Sequence, residues 1–184
     1  DVLKSFGIVI ESNGKNYYIK GKQHYQSKDY RITGDYSQAA NFLVAGLFSA
    51  QLSIMNLRHD SLQADREIIN IIKQIGGHIQ TINDGYLVKQ SSLQGKKINI
   101  QDCPDIGPII ALMCCLSKGQ SIITGTSRLR IKESDRIEST VQVLSTLGAK
   151  IHTKNDDIII EGVSSFNGGV VDSYNDHRIA MMAS

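Results

Sequence analysis

The sequence predicts an α/β fold built from tandem β-α-β-α-β-β units, and three observations carry that prediction. A pattern of helix end, glycine, strand, turn and strand occurs at VLKSFGIVIESNGKNYYIKG (2–21), IIKQIGGHIQTINDGYLVKQ (71–90) and VLSTLGAKIHTKNDDIIIEG (143–162). The copies recur at intervals of about 70 residues. Between them lie the small-residue-rich apolar stretches SQAANFLVAGLFS (37–49) and DIGPIIALMCCLS (105–117), each running into a strand-like segment, LSIMNL (52–57) or QSIITG (120–125).

Each element follows from local chemistry. An apolar pair closes an amphipathic helix, and Gly7, Gly76 or Gly148 stops it, because glycine enters the left-handed region without a Cβ clash. Alternating residues then form a strand that turns at Asn13-Gly14, Asn83-Asp84-Gly85 or Asn155-Asp156-Asp157 and returns as a second strand. The small-residue stretches read as helices buried on most faces, and a polar loop after each following strand opens the next amphipathic helix. A further copy starts at GGVVDSYNDHRIAMMAS (168–184), where Asp176 stands where Ser37 and Asp105 stand. The chain is therefore expected to hold two complete units, truncated at both ends, as part of a larger repeat protein.

Composition narrows the function classes. Of 184 residues, 41% are hydrophobic and the net charge is +2, with Lys and Arg scattered, so no nucleic-acid stripe or polybasic membrane segment is expected. No apolar run reaches the roughly 18 residues of a membrane span, and the start lacks signal-peptide features, which predicts a cytoplasmic protein. Cys103, Cys114 and Cys115 have neither zinc spacing nor a disulfide pattern and read as small apolar residues.

Charge is concentrated in RLRIKESDRI (128–137), which opens the second helix of the second complete unit. The corresponding loop, Arg58 to Arg66, keeps an Asp-Arg pair at Asp65-Arg66 but lacks the Lys-Glu pair. Asp135 and Arg136 thus read either as a cap and local ion pair of the repeat or as site residues. By contrast, Arg128, Arg130, Lys132 and Glu133 exceed what the fold alone requires. Lys132 and Arg136 have the spacing of one helical face, where like charges repel unless an anion joins them. Asp105, after Pro104, reads as a helix cap or a functional carboxylate, while His177 and Arg178 sit at another helix start, where anions are favoured.

RLRIKESDRI (128–137), PDIGPIIALMCCLSKG (104–119), GDYSQAANFLVAG (34–46) and YNDHRIAMMAS (174–184) together resemble the successive motifs of the 3-phosphoshikimate 1-carboxyvinyltransferase (EPSP synthase) family. The resemblance covers essentially the whole chain. It implies the inside-out α/β barrel of enolpyruvyl transferases, with residues 1–33 ending the first domain and 34–184 forming most of the second. It also implies transfer of the enolpyruvyl group of phosphoenolpyruvate (PEP) to the 5-hydroxyl of shikimate 3-phosphate, in chorismate and aromatic amino-acid biosynthesis.

By the same resemblance Asp105 is the base, Glu133 the acid and Lys132 a lysine at the reacting centre. Arg136 and Arg178 hold PEP, Asp105 and Lys132 also contact substrate, and His177 orients its neighbours. No metal or organic cofactor is implied. Other shikimate 3-phosphate and PEP ligands are expected before Asp1 and after Ser184, so the chain alone is expected to be inactive. Two alternatives stand beside this reading. One is UDP-N-acetylglucosamine 1-carboxyvinyltransferase, which shares fold and PEP; the other is a non-catalytic module holding phosphates of RNA or a protein on the same repeat.

Overall fold

Three glycines stop three helices with the same pair of hydrogen bonds. In the computed structural model, which describes residues 2–184, Gly7, Gly76 and Gly148 have φ of 83°, 90° and 95°. They follow the helices Val2–Ser5, Ile68–Gln74 and Arg136–Thr146. The glycine amide donates three residues back, to Lys4, Lys73 or Ser145, and the next amide donates five back, to Leu3, Ile72 or Leu144. This is the Schellman arrangement, which satisfies carbonyls left open at a helix end.

The chain forms two units, Asp1–Ile32 and Thr33–Ser184. The first contains α1 (Val2–Ser5) and a hairpin of β1 (Ile10–Ser12) and β2 (Tyr17–Ile19), in register from Ile10 opposite Ile19. Its turn is closed by the Asn13 side chain, which accepts from the amides of Lys15 and Asn16.

In the second unit the order is α2 (Tyr36–Phe48), β3 (Gln51–Met55), α3 (Ile68–Gln74), β4 (His78–Ile82) and β5 (Gly85–Lys89). It continues with β6 (Lys97–Asn99), α4 (Gly107–Cys115), β7 (Gln120–Thr124), α5 (Arg136–Thr146), β8 (Lys150–Lys154), β9 (Asp157–Glu161) and α6 (His177–Ala183). One antiparallel sheet has the order β3-β5-β4; the other runs β6-β7-β9-β8, with β6 parallel to β7 and the remaining pairs antiparallel. The helix α4 is the crossover between the parallel strands β6 and β7.

The layering is inside out. Helices α2 and α4 are apolar on most faces, and α4 packs against α2, α5 and α6 at the centre, while the sheets lie outside. Strand alternation divides the two surfaces: Ile158 and Ile160 of β9 are fully buried, whereas every second residue of β3 is exposed. A hydrophobic cluster runs from Tyr36 through Ile110 and Ile123 to Met182.

The expected leading strand forms only once, as β6. No helix or strand is present at residues 23–35 or 162–173. Ahead of α2, the bond from Gly34 N to Asn56 O, 2.7 Å, stands where the second sheet has Ile100 N to Thr124 O at the end of its parallel ladder. A parallel edge strand rests on bonds to one neighbour, and hydrophobic alternation cannot reveal whether that ladder closes.

The three cysteines are buried and unpaired, and burial pushes the Cys103 and Cys115 thiols up to about 12. They serve as packing residues, as their apolar setting predicts.

Gly162 ends β9 where a Cβ would lie 1.8 Å from the Ser117 carbonyl oxygen. Gly162→Ala should therefore destabilise the protein by about 1–3 kcal/mol, measured by urea unfolding; an unchanged midpoint would contradict this packing.

Candidate active site

Helix starts converge on one side of the second unit. The 3₁₀ turns Ala64–Glu67, Pro104–Ile106 and Ser127–Ile131 are successive neighbours there, and α6 begins beside α4 and α5. Asp135 caps α5 by accepting from the amides of Ile137 and Glu138 at 3.1 and 3.3 Å. Asp176 caps α6 by accepting from Arg178 N at 2.9 Å, and Asp35 caps α2 by accepting from Ser37 N at 2.8 Å. Asp105 is not a cap: it lies within a 3₁₀ turn, and α4 starts without a side-chain cap.

The Asp105 carboxylate instead joins two cations. Its Oδ1 lies 2.8 Å from Lys132 Nζ and 2.9 Å from Arg136 NH1. The anion needed between Lys132 and Arg136 is therefore supplied by the protein itself. Their helical spacing is not realised, because Lys132 is extended (φ −99°, ψ −162°) and α5 starts only at Arg136. Burial raises the Asp105 pKa, but Lys132 and Arg136 outweigh it and hold the carboxyl below its ordinary range.

Arg136 is the hub. Its side chain is 1% exposed, and it donates through Nε to Asp176 Oδ2 at 2.8 Å, through NH1 to Asp105, and through NH2 to Glu133 Oε2 at 2.6 Å and Asp176 Oδ1 at 3.2 Å. Burial opposes its charge, and Asp176, Glu133 and Asp105 more than restore it. Asp105 and Glu133 keep 38% and 51% of their side chains exposed, so the cluster opens to solvent through these two carboxylates.

Arg178 has a different environment. Its Nε and NH1 are buried and have no hydrogen-bond partner among the described residues. His177 is half-exposed, and its Nδ1 reaches Asp176 Oδ1 only at 4.0 Å. Asp105, Lys132, Glu133 and Arg136 are thus joined directly, whereas Arg178 and His177 are tied to them through Asp176 at the start of α6.

Two comparisons drawn from the repeat require correction. Arg130 serves the fold: it pairs with Asp135 at 2.8 Å, Asp156 at 2.9 Å and Glu138 at 3.4 Å, fastening the 3₁₀ turn to the β8–β9 turn and the α5 cap. Nor do Asp65 and Arg66 repeat the work of Asp135 and Arg136. Asp65 makes no helix cap; it accepts from the Ser37 hydroxyl, while Arg66 donates to the His59 carbonyl at 2.6 Å. Asp65 faces a cavity of about 390 Å³ that is also lined by Ser37, Asp105 and Arg128. Burial raises its pKa despite the Ser37 bond, and Asp105 adds to the rise.

With this geometry in view, the comparisons with known proteins are decisive. The EPSP synthase (3-phosphoshikimate 1-carboxyvinyltransferase) profile matches residues 1–184. The chain belongs to the EPSP synthase family. It is 45% identical over 182 residues to the 3-phosphoshikimate 1-carboxyvinyltransferase of Clostridium novyi, covering 98% of this chain and 42% of the relative. With the Methanococcus maripaludis protein of that name the identity is 40% over 187 residues, covering 98% and 44%. The solved EPSP synthase of Acinetobacter baumannii superposes with a TM-score of 0.85 at 27% identity, over 98% of this chain and 46% of that one. The chain thus spans less than half the length of these EPSP synthase relatives.

Sequence reasoning placed Asp176 at a helix start and paired Asp65 with Arg66, but gave neither a role in the site. Asp176 lay inside a quoted motif, but its pairing with Arg136, 40 positions earlier, has no local signature. Asp65 resembles Asp135 in sequence and differs only in what packs around it.

Because Asp65 has a raised folded pKa, its stabilising contribution is complete below the unfolded value and lost as pH rises through the folded value. Asp65→Asn should therefore raise the melting temperature at pH 7, and the gain should vanish below the ordinary carboxylate range. Thermal melts between pH 3 and 8 check this; a gain independent of pH would contradict it.

Proposed function

We propose that the protein containing this chain transfers the enolpyruvyl group of PEP to the 5-hydroxyl of shikimate 3-phosphate in the cytoplasm, releasing inorganic phosphate. In this reading residues 1–33 complete the first domain and 34–184 form most of the second. The observation that carries it is the Arg178 guanidinium, with two buried donors unpaired among the described residues, on the helix start that Asp176 ties to Arg136, in a member of this family. A buried donor without a partner is costly, and an anionic substrate supplies the missing acceptor.

The other groups fit the steps of that transfer. Arg136 and Arg178 bind the phosphate and carboxylate of PEP through planar, permanently charged forks. Asp105 acts as base: its Oδ1 is occupied by Lys132 and Arg136, while its Oδ2 accepts no hydrogen bond among the described residues and can receive the hydroxyl proton. Its depressed pKa keeps it ionised at neutral pH. The substrate oxygen forms a bond to C2 of PEP as the C2=C3 electron pair takes a proton at C3. Glu133 delivers that proton from the open side of the cluster.

Lys132 stabilises charge on the resulting tetrahedral adduct. Cleavage of the bond between C2 and the phosphate oxygen then sends its electron pair out with phosphate, and the Glu133 carboxylate, ionised by the first step, takes a proton from C3 as the C2=C3 double bond re-forms. His177, at the start of α6, orients the substrate-binding groups. The peptidoglycan and nucleic-acid alternatives gain no support, since the matched family and the relatives described carry the shikimate name.

Phosphate release from PEP plus shikimate 3-phosphate tests the proposal in the full-length protein. Glu133→Gln and Asp105→Ala should each lower turnover by roughly 10²–10⁴-fold with folding retained; near-normal turnover in either would remove that residue's role. The 184-residue chain alone should release no phosphate under the same assay, and measurable release would refute the need for the remaining length.

A further inference from the structure

We propose that Asp176 is a positioning residue, one buried carboxylate that sets the orientation of Arg136 and fixes the helix turn bearing Arg178. The inference rests on the reading of Arg136 and Arg178 as anion-binding groups.

The carboxylates around Arg136 fall into two kinds. Asp105 and Glu133 are 38% and 51% exposed, so an incoming anion can displace either from the guanidinium. Asp176 is 0% exposed and cannot be reached. Its two oxygens take Nε and NH2 at 2.8 and 3.2 Å. This grip leaves NH1 and the other NH2 proton directed at Asp105 and Glu133, the solvent side. Asp176 thereby decides which edge of the fork a ligand meets.

The same carboxylate holds two further groups. Its Oδ1 accepts from the Arg178 amide at 2.9 Å, and its Oδ2 accepts from Ser134 Oγ at 3.0 Å, next to Glu133. Arg136, the Ser134 hydroxyl and the Arg178 amide therefore meet at one side chain. Capping alone does not account for this, because Asp35 caps α2 with an equivalent bond while remaining solvent-exposed.

Backbone strain points to the same residue. Tyr174 and Asn175, immediately before it, are consecutive non-glycine residues in the left-handed region, with φ of 56° and 54°. Such conformations persist where the surroundings hold them. Here the Asp176 amide donates to Ser173 O at 3.0 Å, and Asp172 Oδ1 accepts from Tyr174 N at 2.7 Å, which aims Asp176 into the interior.

Asp176→Asn keeps a capping oxygen and removes the charge, whereas Asp176→Glu keeps the charge and displaces it. In the full-length protein both should raise the KM for PEP by about tenfold or more, beyond any loss of kcat. A purely structural role would lower kcat with the folded fraction and leave KM unchanged, and that result would overturn the assignment. Should both variants fail to fold, Ser134→Ala removes the hydroxyl that bonds Asp176 Oδ2 and Ser139 Oγ while keeping the Asp176 charge in place, and should raise the same KM by about threefold, the scale of the one bond lost to the carboxylate; an unchanged KM would again overturn it.

Absence of turnover in the wild type would instead refute the proposed reaction. Asp176 is then read in the ¹⁵N-labelled 184-residue chain, where inorganic phosphate should shift the Arg136 Nε resonance in the wild type and bind about tenfold more weakly in Asp176→Asn and about threefold more weakly in Ser134→Ala. Equal phosphate affinity in wild type and variants would refute the positioning role independently of the reaction.

Discussion

A guanidinium taken almost completely out of water organises this protein's candidate site. Removing one partner from a buried ion pair typically costs about 3–5 kcal/mol, because the remaining charge is left uncompensated. Arg136 therefore demands carboxylates, and it draws them from three separate places: Asp105 before α4, Glu133 in the loop before α5, and Asp176 before α6. The starts of these helices cannot drift apart without exposing or orphaning that charge.

The repeat makes such a hub geometrically available. Each unit buries a small-residue helix at the centre and places its sheet outside, so equivalent loops emerge on one side. Pseudo-symmetry stops at the side chains. In the first complete repeat, Asp65 is held by a serine hydroxyl and Arg66 by a carbonyl, and among the described residues no guanidinium is buried. In the second complete repeat, Arg130 fastens the outer part of the loop to Asp135 and Asp156, leaving Lys132 and Glu133 to face the cluster. A common backbone thus carries a structural contact in one copy and a charged constellation in the other.

Charge balance within the cluster has a chemical consequence. Asp105, Glu133 and Asp176 offset Arg136 and Lys132, so the internal carboxylates occupy donors that would otherwise hold a ligand anion. Arg178 is outside that set of ion pairs, with two buried donors lacking partners among the described residues. Anion entry at Arg178, followed by displacement of the exposed carboxylates from Arg136, would free Asp105 and Glu133 for proton transfer. Binding and acid–base chemistry would then be coupled through one set of hydrogen bonds.

The sequence by itself determined the repeat, its helix stops and the motifs of the family, because these depend on local rules. A left-handed glycine, a two-residue periodicity and an N-terminal aspartate act within a few residues of themselves. It could not determine that β6 alone would close as a leading strand, that Asp105 would bridge cations rather than cap a helix, or that Arg130 would be structural. Asp176 marks the boundary: its cap was legible as a helix start, but its burial against Arg136 joins positions 40 residues apart. Such a contact is chosen by which surfaces the packed helices bring together, and only the tertiary structure specifies that.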